Sequence, residues 1–246
     1  MNQVSFIQNL YDRRAPSYDQ WFDGFWVKYQ KRVEREVSHL LTQLREPIRL
    51  LDMGCGSGSR LARIFETCPD KVFKSVLAGD ISWGMIQQAQ EHTQNLPVSL
   101  FQGKLEELPL QSDSIDVILL LYSVLGCLID SKSRVRALAE CHRVLRKGGM
   151  IILDLLSRDH VFYQGRKDAF EKAKQFKLKQ GLEWSEGDLL FEEEVGQVVL
   201  NHGFNFDEIE KLSKLFFRKS KWQCFDTEEG LDSNENKGHF FGVLEK

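Results

Sequence analysis

The sequence predicts an α/β fold, an open and mostly parallel sheet with helices on both faces. Three observations predict it. Short apolar runs alternate with amphipathic segments from residue 48 to 157, the pattern of strands joined by right-handed helical crossovers. The first run, "IRLLDMG", opens directly into the glycine-rich turn "GCGSG". The second, "KSVLAGDIS", ends in an acid. Open sheets of this kind bind ligands at the carboxyl ends of their strands, where the strand order switches direction.

The elements follow in order. Residues 1–44 read as helical, and "VKYQKRVEREVSHLL" (27–41) brings Val33, Val37, Leu40 and Leu41 onto one face. The turn at 54–58 is followed by a helix through Leu61, Ile64 and Phe65. A strand over 74–82, the helix "WGMIQQAQEH", a strand over 97–103 and a strand over 113–123 come next. The longest apolar run, "VILLLYSVLGCLI" (117–129), suits a buried strand and its exit. The helix at 131–145 is stopped by Gly148 and Gly149 before a strand over 150–157. Beyond that, 165–180 reads as a basic helix and 192–204 as a helix capped by Gly203. The segment 206–217 has helical spacing at Ile209, Leu212 and Phe216, but its place in the chain favours a strand. Residues 226–238 read as a mobile surface loop, and 238–246 as a closing strand. No repeat or linker interrupts the chain, which predicts one domain over 1–246.

Composition excludes several classes. A net charge of −3 leaves no global basic field for nonspecific nucleic-acid binding. The N-terminus lacks a signal pattern and no apolar run approaches a membrane span, so a cytoplasmic protein is expected. Cys55, Cys68, Cys127, Cys141 and Cys224 are scattered without a C-x-x-C pair, which indicates reduced thiols and no zinc site.

The turn itself discriminates between ligands. A P-loop needs lysine after its last glycine, and here Ser59 and Arg60 follow Gly58. A dinucleotide fingerprint needs glycine or alanine where this chain has Ser59. The spacing is instead G-x-G-x-G over Gly54, Gly56 and Gly58, with Asp52 two residues earlier. A carboxylate there opposes a pyrophosphate and suits a ligand that presents a cation, such as the sulfonium and ammonium of S-adenosylmethionine. Asp80 stands where an acid accepts both ribose hydroxyls, a position shared with NAD sites, and as part of "D-I-S" it also suits a helix N-cap.

With these sites in register, residues 10–157 resemble the class I S-adenosylmethionine-dependent methyltransferases. "LLDMGCGSGSRLARI" is similar to the D-x-G-x-G-x-G motif, "AGDISWGMIQQAQ" to the ribose motif, and "FQGKLEELPLQSDSIDVI" and "ECHRVLRKGGMIILDLL" to the two that follow. The resemblance implies a Rossmann-like, doubly wound, seven-stranded sheet with an antiparallel C-terminal strand. It divides the chain into a helical cap (1–44), a cofactor-binding core (45–157) and a substrate-side part (158–246). It implies that Asp52, Gly54, Gly56, Gly58, Asp80, Ile81, Met85, Leu105 and Leu120 hold the cofactor. The arm "LYDRRAPSYDQWF" resembles that of ubiquinone/menaquinone-biosynthesis-type methyltransferases, in which a tyrosine closes over the cofactor; here Tyr18, or Tyr11, occupies that place. Aromatic packing of the arm on the sheet accounts for these tyrosines equally well. One position departs from the pattern. Lys104 stands where an acid commonly takes the adenine amino group, and an ammonium only donates; adenine would then rely on backbone near Leu105 and on Ile81, or on Glu106.

Methyl transfer requires positioning and exclusion of water, with a general base only for a protonated, weak nucleophile. His160, just past the 150–157 strand, and Tyr122, at the end of the 113–123 strand, are the catalytic candidates. An ordinary loop role competes for His160, and His142 lies mid-helix as a structural residue. Tyr163 is a further pocket candidate, and Trp21, Phe22, Phe25, Trp26 and Phe162 are candidates for apolar walls, so a small apolar or aromatic acceptor is expected. The six basic residues of 165–180 read as a solvated helix face, not a nucleic-acid site. A nucleic-acid or protein methyltransferase, an inactive cofactor-binding protein and a nicotinamide-dependent oxidoreductase are the alternatives.

Overall fold

The computed structural model describes residues 3–21, 24–45, 47–68, 72–160, 167–192, 198–225 and 238–246. The expected loop over 226–238 therefore falls almost wholly outside it, as do Phe22, Phe162, Tyr163 and the side chains of Trp21 and Phe25.

Seven strands form one sheet in the order β3-β2-β1-β4-β5-β9-β8: β1 (Ile48–Met53), β2 (Phe73–Asp80), β3 (Val98–Gln102), β4 (Ile115–Leu120), β5 (Leu145–Leu155), β8 (Lys219–Phe225) and β9 (His239–Glu245). The first five run parallel, and β9 lies antiparallel between β5 and β8. The chain builds outward from β1 to β3, then returns to place β4 on the other side of β1. The switch point thus lies between β1 and β4, at the mouth of the glycine turn.

The central strands are apolar because both faces are covered; every residue of β4 is buried. Helices α1 (Gln3–Arg14) and α2 (Gly24–Thr42) flank a 3-10 segment, Ala15–Trp21. The α2 face of Val33, Val37 and Leu41 enters the core beside Leu61 and Ile64 of α3 (Ser59–Thr67). Helices α4 (Trp83–His92), α5 (Val124–Cys127) and α6 (Ser131–Val144) complete the core crossovers, followed by α7 (Lys167–Lys179) and α8 (Phe206–Lys214). Ser82 caps α4 and Asp130 caps α6, each accepting from a backbone N–H three residues on. No described helix is long and apolar enough to cross a membrane.

Three expectations are corrected. The described residues of 192–204 are not helical: β6 (Asp188–Glu192) pairs antiparallel with β7 (Val198–His202), and Leu200 and His202 point inward at strand spacing. Residues 206–217 are largely helical, because Asn205 caps Glu208 N and Ile209 reaches the core with period 3.6. Gly148 and Gly149 lie within β5, which begins at Leu145; Gly148 takes a φ of +75° there.

Gly58 shows why the turn is specific. Its φ is +78°, and a Cβ would come within 2.9 Å of the Ala89 Cα on α4. Gly58→Ala is expected to destabilise the protein by more than about 1 kcal/mol, from strain and clash together. Urea unfolding measures this; an unchanged midpoint would mean that the turn relaxes freely.

Candidate active site

The glycine turn is tied to β2, since Gly54 N and Cys55 N both donate to the Gly79 carbonyl, at 2.7 and 3.0 Å. A Cβ on Gly54 would strike Val124, whereas one on Gly56 would meet only the Tyr18 ring, at 3.5 Å. Two of the three glycines therefore serve close packing, and Gly56 opens toward a cavity of about 270 Å3. Asp80 lines the same cavity, and its oxygens accept from Gly56 N (3.0 Å) and Ser82 N (2.9 Å). Burial pushes its carboxyl up.

The N-terminal arm closes over this mouth, held by two aspartates that the sequence reading did not single out. Asp12 accepts from Ser82 Oγ (2.6 Å) and Gly84 N (3.0 Å), at the start of α4. Asp19 accepts from Ser57 Oγ and Ser59 Oγ, both at 2.9 Å, at the start of α3. Each carboxylate thus meets the positive end of a helix. Between them Tyr18 lies over Gly56 with Tyr11 edge-on to it, 6.3 Å between centroids. Burial pushes the Tyr18 phenol up to about 12.

Asp52 is not on the cavity wall. It is fully buried and receives Arg60 Nη2 at 2.7 Å. Arg60 also donates to the carbonyls of Leu121 (3.2 Å) and Gly54 (3.3 Å). The cation that Asp52 requires is therefore this chain's own guanidinium.

Tyr122 follows β4 at a φ of +64°, held there by its N–H on Asp154 Oδ1 at 2.6 Å. Its hydroxyl donates to Glu34 Oε1 at 2.5 Å, and Arg63 grips the same carboxylate at 2.6 and 3.0 Å. Arg60 stacks on the Tyr122 ring at 4.8 Å. Burial and the Glu34 charge drive the phenol far above its ordinary range, so Tyr122 is a donor and positioning group rather than a base. His160 is buried away from the cavity, its ring stacked on His239 at 4.4 Å, and His239 stacks in turn on Trp26. The role of base is not supported for it, and Trp26 is core rather than cavity wall.

Of the residues expected to meet the cofactor, Gly54, Gly56, Asp80, Ile81, Leu105 and Tyr18 line the cavity, as do Tyr11, Tyr122 and Glu106. Met85 and Leu120 are fully buried in α4 and β4, and Gly58 faces α4, so these three sit behind the wall with Asp52. Lys104 is exposed and off the wall. The sequence reading missed the second wall, Val27, Gln30, Lys31 and Glu34 of α2 with Arg63 of α3. Its signal was present as an i, i+3, i+4, i+7 stripe beside the apolar one.

Asp154 gives a pH prediction. Desolvation raises its carboxyl from 3.8 to about 6, outweighing the hydrogen bonds from Tyr122 N and Tyr29 Oη. The native state thus binds a proton that the unfolded chain lacks between these values, and the ionised group costs stability as pH rises through that window. Asp154→Asn is expected to be about 1–3 kcal/mol more stable than the parent at pH 7 and level with it near pH 4. Urea unfolding at both pH values tests this; a variant less stable at pH 7 would contradict it.

The comparisons agree with this geometry. Residues 51–153 match the methyltransferase domain family. Over that span the chain is a class I S-adenosylmethionine-dependent methyltransferase domain. It is 28% identical over 167 residues to a ubiquinone/menaquinone biosynthesis C-methyltransferase of Campylobacter jejuni, covering 65% of this chain and 67% of that protein. A malonyl-[acyl-carrier protein] O-methyltransferase of Dechloromonas aromatica is 33% identical over 147 residues, covering 60% and 49%. In fold it is similar to an S-adenosylmethionine-dependent methyltransferase from Methanosarcina mazei, with a TM-score of 0.62 at 20% identity, covering 85% and 94%.

Proposed function

We propose that this methyltransferase acts on a small molecule held under its N-terminal arm, between the glycine turn and the α2 wall. The observation that carries the reading is the continuous cavity joining Asp80 and Gly56 to Gln30, Lys31, Glu34 and Tyr122. When bound, S-adenosylmethionine supplies a methyl on a positively charged sulfur, which departs as a neutral thioether. Asp80 fits the ribose: each oxygen accepts one backbone N–H and keeps lone pairs for a hydroxyl. Ile81 and Leu105 form an apolar slot for adenine, and half-buried Glu106 takes the place of the acid that Lys104 lacks. Tyr18 covers the turn and excludes water.

The acceptor body lies against Val27, Leu121, Val124 and Leu128, apolar groups that suit an aromatic or aliphatic framework. The test is incubation with methyl-labelled S-adenosylmethionine and separate small-molecule, RNA and protein fractions of a cell extract. Label is expected in the small-molecule fraction; label confined to RNA or protein would overturn the reading.

A further inference from the structure

The α2 wall carries polar groups that the protein itself does not use. Gln30 is 8% exposed, lines the cavity, and has no hydrogen-bond partner among the described residues. Its amide atoms remain accessible from the cavity, so they can meet a ligand. Beside it Lys31, an exposed residue at the cavity rim, has no partner for its ammonium among the described residues. Arg63 commits Nε and Nη2 to Glu34 and leaves Nη1 without a partner among the described residues. The Glu34 charge is already matched by Arg63 and by the Tyr122 hydroxyl, and Asp52 matches Arg60. The wall is therefore left with one net positive charge and three sets of donors.

We propose that Gln30, Lys31 and Arg63 form a subsite for a singly charged anionic group, a carboxylate or comparable oxyanion, on the methyl acceptor. The claim rests on the reading of this cavity as the acceptor site. Val27, Gln30, Lys31 and Glu34 share one face of α2, which packs on α3, so helix geometry aims all of them at the same space. Three donors of this kind recognise an anion and penalise its neutral amide, because the amide leaves the Lys31 charge unanswered. The carboxylate of the cofactor has the same chemistry, and the experiment separates the two.

The probes are 4-fluorobenzoate and 4-fluorobenzamide, followed by fluorine NMR on the protein saturated with S-adenosylhomocysteine. The anion is expected to bind at least roughly tenfold more tightly than the amide, about 1.4 kcal/mol. Lys31→Met should reduce that preference to roughly twofold or less. Gln30→Leu should weaken the anion at least roughly threefold while leaving the amide probe within about twofold of its affinity for the parent, a split that a merely structural glutamine would not produce. Both variants should leave S-adenosylhomocysteine affinity within about twofold of the parent. Equal binding of the two probes, or none by the anion, overturns the proposal. So does a loss of S-adenosylhomocysteine affinity that spares 5′-methylthioadenosine, since the subsite then serves the cofactor's own carboxylate. Failure of S-adenosylhomocysteine to bind the parent protein would instead sink the functional reading.

Discussion

Asp80→Ala is expected to weaken S-adenosylhomocysteine binding by about 2–3 kcal/mol, roughly 30- to 150-fold. Two losses combine in that figure. The ribose hydroxyls lose a charged acceptor, and Gly56 N and Ser82 N lose the carboxylate that fixes the turn against α4. Asp80→Asn separates them: its carbonyl oxygen can still accept from one backbone N–H, while its amide nitrogen cannot accept from a hydroxyl. It should therefore keep more of the fold's stability than of the affinity. Calorimetry reads the affinity and urea unfolding the stability. An alanine variant that binds within about twofold of the parent would mean that the ribose lies elsewhere.

The second large effect concerns stability. Asp52→Ala is expected to cost about 3–5 kcal/mol, because it leaves the buried Arg60 guanidinium without its carboxylate. Replacing both partners by apolar residues, as Asp52→Leu with Arg60→Met, should recover most of that loss, since a buried pair contributes little over an apolar one of similar volume. The three proteins are compared by urea unfolding. A cost below about 1 kcal/mol for Asp52→Ala would show that the pair is not formed, and would return Asp52 to the ligand.

This pair illustrates what was legible in the sequence and what was not. The physical reasoning that a carboxylate in the turn requires a cation holds, but the cation stands on the first turn of the next helix. Nothing in linear spacing tells a ligand's charge from that of Arg60. Asp80 was legible because a strand end points one way only. Gly54, Gly56 and Gly58 were legible as a set, though packing against Val124 and Ala89 explains two of them better than a ligand does.

The central sheet followed from its apolar runs, since strands buried on both faces leave a strong pattern. The substrate-side part did not. Residues 198–202 read as helix because Val198, Val199 and Leu200 carry no period by themselves, and pairing with β6 decided their state. His160 was favoured for its position after β5, yet stacking on His239 takes it into the core. The arm's aromatics drew notice, whereas Asp12 and Asp19 do the fastening, a role visible only once the starts of α3 and α4 are placed beside the arm. The stripe of Gln30, Lys31 and Glu34 went unmarked because a helix wheel does not say which side meets a cavity.

The most direct measurement is calorimetric titration of the parent protein with S-adenosylmethionine, S-adenosylhomocysteine and NAD. One-site binding of the first two and none of the third is the predicted result. No heat from either adenosyl compound at high micromolar concentration, or binding of NAD in their place, would contradict the account.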